Sequence, residues 1–143
     1  MEGKFTNTMK VWVNGTFDVF HPGHLALLKY AAEKGELHVG IDSDRRVMEK
    51  KGPNRPVFTV AQRKELLESL KIVHKVYVFD SDEGLINAIK ESEAMIMVIG
   101  SDYEKKKIVG EDLFRGILFF DRIHGISSTE ILNHTWNNSD KPE

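Results

Sequence analysis

The chain has 143 residues, 41% of them apolar and 29% charged, enough to bury the core of one compact domain and too apolar for a disordered chain. Twenty basic residues against twenty-two acidic leave a net charge of −2, which argues against a nucleic-acid binder dependent on many phosphate contacts. No cysteine is present, which excludes disulfides, thiolate metal sites and a cysteine nucleophile. No apolar run reaches the roughly 20 residues of a membrane span, and the first residues lack the apolar stretch of a secretory signal. The expectation is a cytoplasmic domain over 10–135, with a flexible segment over 1–9 and a tail over 136–143.

Apolar, β-branched runs alternate with helical spacing along the chain. Lys10 to Asn14 reads as a buried strand. Leu25, Leu28 and Ala32 then mark a helix over Leu25–Lys34 that stops at Gly35. Leu37–Asp42 is a second strand, followed by a short helix over Asp44–Lys50. Gly52–Phe58 holds two of the four prolines, so it is a stiff loop. Thr59 and Gln62 have the spacing of a capping box for a helix running to Leu70. A strand at Lys75–Phe79, a helix at Glu83–Glu91 and a strand at Met95–Ile99 come next. A lysine-rich turn or helix at Glu104–Val109, a strand near Ile117–Phe120 and a helix from about Ser128 complete the series.

Five strands separated by helices predict an α/β domain, Rossmann-like, with a five-stranded parallel sheet covered on both faces. Ligands of such sheets bind beyond the carboxyl ends of the strands. The unusual residues fall there: Gly15–His24, Asp42 and Asp44, Gly100–Tyr103, and Arg122–Thr129.

In the first of these segments, Gly15 permits close approach of backbone and Gly23 sits at the start of a helix. His21 and His24 flank Pro22-Gly23 beside helix N–H groups expected to be free, a combination suited to phosphate. A metal half-site is the alternative, although the H-E-x-x-H spacing of zinc proteases is absent. A solvated turn is the plainest alternative. At the other end, Gly125 leads into Ser127, Ser128 and Thr129, where hydroxyls and backbone N–H groups suit phosphate oxygens and Arg122 can add a bidentate contact. An ordinary helix cap is the competing reading there.

GTFDVFHPGH resembles the first motif of the cytidylyltransferase-like nucleotidylyltransferases, and the resemblance extends from about Val11 to Leu132. Arg122-Ile123-His124-Gly125-Ile126-Ser127-Ser128-Thr129 is similar to the R-T-x-G-I-S-T-T of glycerol-3-phosphate cytidylyltransferases, with Ile123 in place of the threonine. Lys51-Gly52-Pro53-Asn54-Arg55-Pro56-Val57 and Gly100-Ser101-Asp102-Tyr103 resemble stretches of heptose-1-phosphate adenylyltransferases, which weights the reading toward that type.

The resemblance implies transfer of a nucleoside monophosphate from Mg-bound ATP or CTP to a phosphorylated sugar or polyol, with release of pyrophosphate by a homodimer. It implies that His21, His24, Lys51 and Arg63 act on the phosphates. Gly15, Thr16, Phe17, Asp18, Gly23, Gly100, Asp102, Arg122, Gly125, Ile126, Ser127, Ser128 and Thr129 would hold the nucleotide. Asp44, Arg55 and Lys71 would face the acceptor, and Mg2+ would bridge phosphate oxygens with few protein ligands. A nucleotide-binding module without chemistry is the reading of another class. His38, His74 and His134 have no partner at metal spacing, and Trp12, Phe119 and Phe120 read as core. Trp136 has no assignable role.

Overall fold

A computed structural model describes residues 9–101 and 107–121. Among these, five strands form one parallel sheet in the order β3-β2-β1-β4-β5, with β1 at Lys10–Gly15, β2 at Glu36–Asp42, β3 at Val73–Phe79, β4 at Ile96–Gly100 and β5 at Gly116–Phe120. Helices α1 (Pro22–Lys34), α2 (Asp44–Lys51), α3 (Val60–Glu68) and α4 (Asp82–Ser92) connect them, with a 3-10 turn at Glu111–Leu113 before β5. The predicted fold class is the one observed. None of these helices is long and apolar enough to cross a membrane.

Alternation along β1 divides the core. Val11 and Val13 face one layer with Leu28 and Ala31 of α1 and Leu67 of α3. Trp12 faces the other with Tyr77, Phe79 and Leu85, Ala88 and Ile89 of α4. Both faces of the inner strands β1 and β4 are therefore covered, which accounts for unalternating apolar runs such as Val11–Val13 and Ile96–Ile99. Gly40 on β2 makes room for the Trp12 indole: a Cβ there would lie 2.4 Å from a ring carbon. Trp12 is fully buried, and its Nε1 donates to Asn14 Oδ1 at 2.8 Å.

The helix expected from Leu25 starts three residues earlier, at Pro22. The expected helix or turn at Glu104–Val109 lies partly outside the described residues. Its described end, Lys107–Val109, forms no helix, and the 3-10 turn after it has no clear sequence pattern. The helix expected from Ser128 lies outside the described residues.

Candidate active site

The order β2-β1-β4 reverses the direction of winding between β1 and β4, the switch point where parallel sheets open a crevice. Pairing here is short. β1 follows β2 as far as Gly15, and β4 follows β5 as far as Gly100, but β1 and β4 pair only at Val11–Ile96 and Trp12–Met97. Beyond that point the two strands part toward their carboxyl ends, with Gly15 and Gly100 level across the gap by the same register.

The loop leaving β1 is strained. Phe17 and Val19 have φ of 52° and 53°, left-handed values that side chains other than glycine rarely adopt. Phe17 is buried over Gly15, where a Cβ would come within 3.2 Å of its ring. Its ring also meets the edge of His24, with centroids 5.2 Å apart.

The two histidines close on each other. Their rings stack with centroids 3.7 Å apart and planes 20° apart. His21 is the N-cap of α1: its Nδ1 accepts from Gly23 N at 3.0 Å and His24 N at 3.4 Å, while His24 Nδ1 accepts from His21 N at 3.3 Å. This is a capping box built from imidazoles, and the three-residue spacing of H-P-G-H is its sequence signal. The reciprocal bonds assign both tautomers. A nitrogen that accepts an N–H carries no proton, so in each neutral ring the proton sits on Nε2.

The helix N–H groups expected to be free for phosphate are in fact taken. Pro22 has none, Gly23 and His24 donate to His21, and Leu25 N donates to His21 O at 3.1 Å. The remaining polar groups of this turn are the two imidazoles, His21 buried at 8% exposure and His24 partly exposed.

Asp18 has no exposed side-chain surface and clamps the neighbouring loop. Its Oδ2 accepts from Val57 N at 2.7 Å and Arg55 Nε at 3.4 Å, and its Oδ1 from Phe58 N at 3.0 Å. Arg55, expected at the acceptor, is thus drawn onto Asp18 and has only 12% side-chain exposure. Arg63 is likewise internal, at 2% exposure. Its guanidinium donates to the carbonyls of Phe58 at 3.0 Å, Thr16 at 2.9 Å and Asp42 at 2.9 Å, and to Asp44 Oδ1 at 2.8 Å. One side chain therefore ties the loops after β1 and β2 to the start of α3. Asp44, another expected acceptor contact, is the carboxylate that pairs with it.

Asp42 accepts from Arg46 Nε at 2.9 Å and Thr16 Oγ1 at 3.4 Å, and Lys50 Nζ lies 3.7 Å away. Lys51 ends α2 and is exposed, with no ion-pair partner among the described residues. Lys71 does not join the site. It lies in the turn before β3 begins at Val73, and in a parallel sheet that is the amino end, opposite the crevice. Asp102, Arg122, Gly125, Ile126, Ser127, Ser128 and Thr129 lie outside the described residues. Next to Arg63, Phe17, Phe20, Phe58, Gln62 and Leu66 line an open pocket of about 240 Å³.

At the opposite end of the sheet, sequence spacing missed a cluster. His38 bonds Tyr77 Oη through Nδ1 at 2.8 Å and Glu36 Oε1 through Nε2 at 2.9 Å, and His74 Nδ1 lies 3.6 Å from Glu36 Oε2. Burial pushes the His38 imidazole below its usual range and the Tyr77 phenol above its own, while the hydrogen bond with His38 holds Glu36 low. Adjacent strands bring these residues together, a proximity that the separation of 36 and 38 from 74 conceals.

A parallel sheet parted at its switch point, with two imidazoles locked together at the end of β1, defines a domain of the nucleotide-handling α/β type. The chain belongs to the cytidylyltransferase-like family, whose model matches residues 12–134, and is a nucleotidyltransferase domain. It is 43% identical over 124 residues to the bifunctional protein HldE of Campylobacter fetus, a match covering 86% of this chain and 27% of that protein. To the HldE of Gluconobacter oxydans it is 36% identical over 127 residues, covering 85% of this chain and 26% of the other. The chain thus spans about a quarter of the length of these curated relatives. The crystal structure of a lipopolysaccharide core biosynthesis protein from Thermoplasma volcanium shares the fold, with a TM-score of 0.67 at 22% identity, covering 80% of this chain and 98% of that one.

Proposed function

We propose that this domain transfers a nucleoside monophosphate from an Mg-bound nucleoside triphosphate to a phosphorylated sugar, adenylyl transfer to a sugar 1-phosphate being the leading form. The stacked His21–His24 pair at the switch point carries the reading. An acceptor phosphate oxygen attacks the α-phosphorus, the bond from that phosphorus to the bridging oxygen of the β-phosphate breaks, and pyrophosphate leaves. An acceptor phosphate is ionised at neutral pH, so positioned donors suffice and no strong base is required.

In this reading the Nε2–H groups of His21 and His24 stabilise the charge that develops around the α-phosphorus. Lys51 supplies a positive charge from the end of α2. Arg63 is a positioning residue, because its guanidinium is consumed by four acceptors of the protein itself. Magnesium enters with the triphosphate. Asp18 and Asp42 suit that arrangement, since both are buried and bound to protein donors, and Asp44 pairs with Arg63.

The Arg122–Thr129 motif favours a second form, cytidylyl transfer to glycerol 3-phosphate. Action in the cytoplasm and assembly as a homodimer belong to the same proposal, and light scattering reads the assembly. The test of the reaction is pyrophosphate release with Mg2+, crossing ATP, CTP, GTP and UTP with heptose 1-phosphate, glycerol 3-phosphate, phosphocholine and phosphoethanolamine. One productive pair is expected, ATP with heptose 1-phosphate. His24→Ala should lower kcat by roughly 10²-fold or more with a smaller change in nucleotide affinity. Silence across the panel together with no nucleotide binding in calorimetry overturns the reading, and nucleotide binding without turnover on any acceptor favours a module without chemistry.

A further inference from the structure

The Glu36–His38–His74 cluster lies at the amino ends of β2 and β3, across the sheet from the crevice, and the proposed reaction makes no use of it. We propose that it is a zinc site. One ligand atom from each of the three residues lies within 4.8 Å of the other two. Zinc holds nitrogen and oxygen ligands at about 2.0–2.2 Å, so two tetrahedral ligands stand roughly 3.3 Å apart. The distances of 2.9 Å from His38 Nε2 to Glu36 Oε1 and 3.6 Å from His74 Nδ1 to Glu36 Oε2 bracket that value.

Local structure supports the assignment. Leu37 pairs with Val73 and His38 with Lys75, so His74 is the extra residue of an irregularity in the β2–β3 ladder, the kind of feature that re-aims a side chain. His38 is the buried anchor at 4% exposure, and the Tyr77 hydroxyl on its Nδ1 is the outer partner that orients a ligating imidazole. His74 and Glu36, with 55% and 27% side-chain exposure, can adjust and leave a fourth position to water. Two imidazoles and one carboxylate suit zinc better than magnesium or calcium, which prefer oxygen throughout. Lys10 and Lys75 are the nearby cations, and each is already paired, with Glu93 at 3.1 Å and Glu91 at 3.3 Å.

On binding, the ion takes His38 Nε2, His74 Nδ1 and the Glu36 carboxylate. His38 stays neutral, its proton moving from Nε2 to Nδ1, where the Tyr77 oxygen accepts it. The site clips β2 to β3.

The test uses the full chain, freed of metal with a chelator and titrated with Zn2+ against a chromophoric competitor. Co2+ serves as a spectroscopic probe of imidazole coordination. One zinc per chain is expected at this site, with a rise in melting temperature on loading. His74→Ala, at an exposed position that leaves the apo fold intact by circular dichroism, should weaken that binding at least about tenfold, and Tyr77→Phe should weaken it by roughly 10-fold with the core shape kept. His24→Ala should leave it unchanged. Equal zinc affinity in wild type and His74→Ala, or no wild-type binding at micromolar zinc, overturns the proposal whether or not the nucleotidyl transfer is found.

Discussion

Replacing Asp18 with alanine removes the carboxylate that, among the described residues, holds the Gly52–Phe58 loop against the loop after β1. Two backbone N–H groups and the Arg55 guanidinium lose their acceptor. A hydrogen bond to a charged group contributes roughly 1.5–3 kcal/mol. Val57 and Phe58 are 48% and 45% exposed, so their released N–H groups can find water, and the lower end of that range applies. The Arg55 contact, at 3.4 Å, adds less than about 1 kcal/mol. Relief of the buried charge offsets part of the loss. The balance is a destabilisation of about 3 kcal/mol, which for a chain of this size lowers Tm by about 10 °C.

Urea and thermal melts by circular dichroism measure the loss. Asp18→Asn is the companion variant, since its amide keeps the shape but presents a donor where the clamp needs an acceptor. It should fall between wild type and Asp18→Ala. Pyrophosphate release should also drop in both variants well below their Tm, because the segment that begins at Lys51 is no longer held. An Asp18→Ala protein within about 0.5 kcal/mol of wild type would refute the clamp, as would an Asp18→Asn protein with full stability and activity.

Three further outcomes follow from the same contacts. Arg63→Lys cannot span the carbonyls of Thr16, Asp42 and Phe58 from a single nitrogen, so it should lose roughly 2–4 kcal/mol in urea denaturation as well as transfer activity. Unchanged stability with only a raised KM would instead place its guanidinium on substrate. Gly40→Ala drives a methyl group into the buried Trp12 indole and should cost about 1–3 kcal/mol, seen as an earlier fluorescence unfolding transition. Asp80 is held below the usual aspartate range by the Arg45 guanidinium and then by the Ser43 hydroxyl. Its contribution is therefore present above that range and is lost as pH falls through the folded-state value. The Tm advantage of wild type over Asp80→Asn should accordingly be seen at neutral pH and vanish on acidification below about pH 4. An advantage that grows in acid would contradict the pairing.

The order of strands and helices was readable because the strands are rich in β-branched and aromatic residues and each helix has its own stop or cap. Thr59 with Gln62 is the clearest case, expected and found as a capping box. The site was legible as a set of loops but not as a set of roles. Arg63 reads as a phosphate-facing cation until the carbonyls around it are seen, and only folding brings residues 16, 42, 44 and 58 to one guanidinium. Lys71 looks no different from Lys51 in sequence, yet the direction of the strands sends it to the wrong end. His38 and His74 are separated by 36 positions in the chain and meet through strand pairing, which no local spacing encodes.

In the proposed reaction, the imidazole capping box makes a different kind of anion site from an open helix start. A helix start with free N–H groups binds phosphate through fixed dipoles, in ground state and transition state alike. Here the helix spends those donors on His21, and His21 and His24 lock each other's Nδ1 atoms through backbone bonds. Each ring is then held in one orientation with its proton on Nε2. A doubly protonated ring would lose the acceptor that its cap requires. The caps thus fix the orientation of each ring and leave Nε2 as its donor. Such donors gain most where negative charge grows during reaction and hold the resting triphosphate less tightly than a fixed cation would. Exchanging either histidine for lysine would supply charge while destroying the cap, so tighter nucleotide binding with slower transfer and an unravelled start to α1 is the combination that this geometry demands.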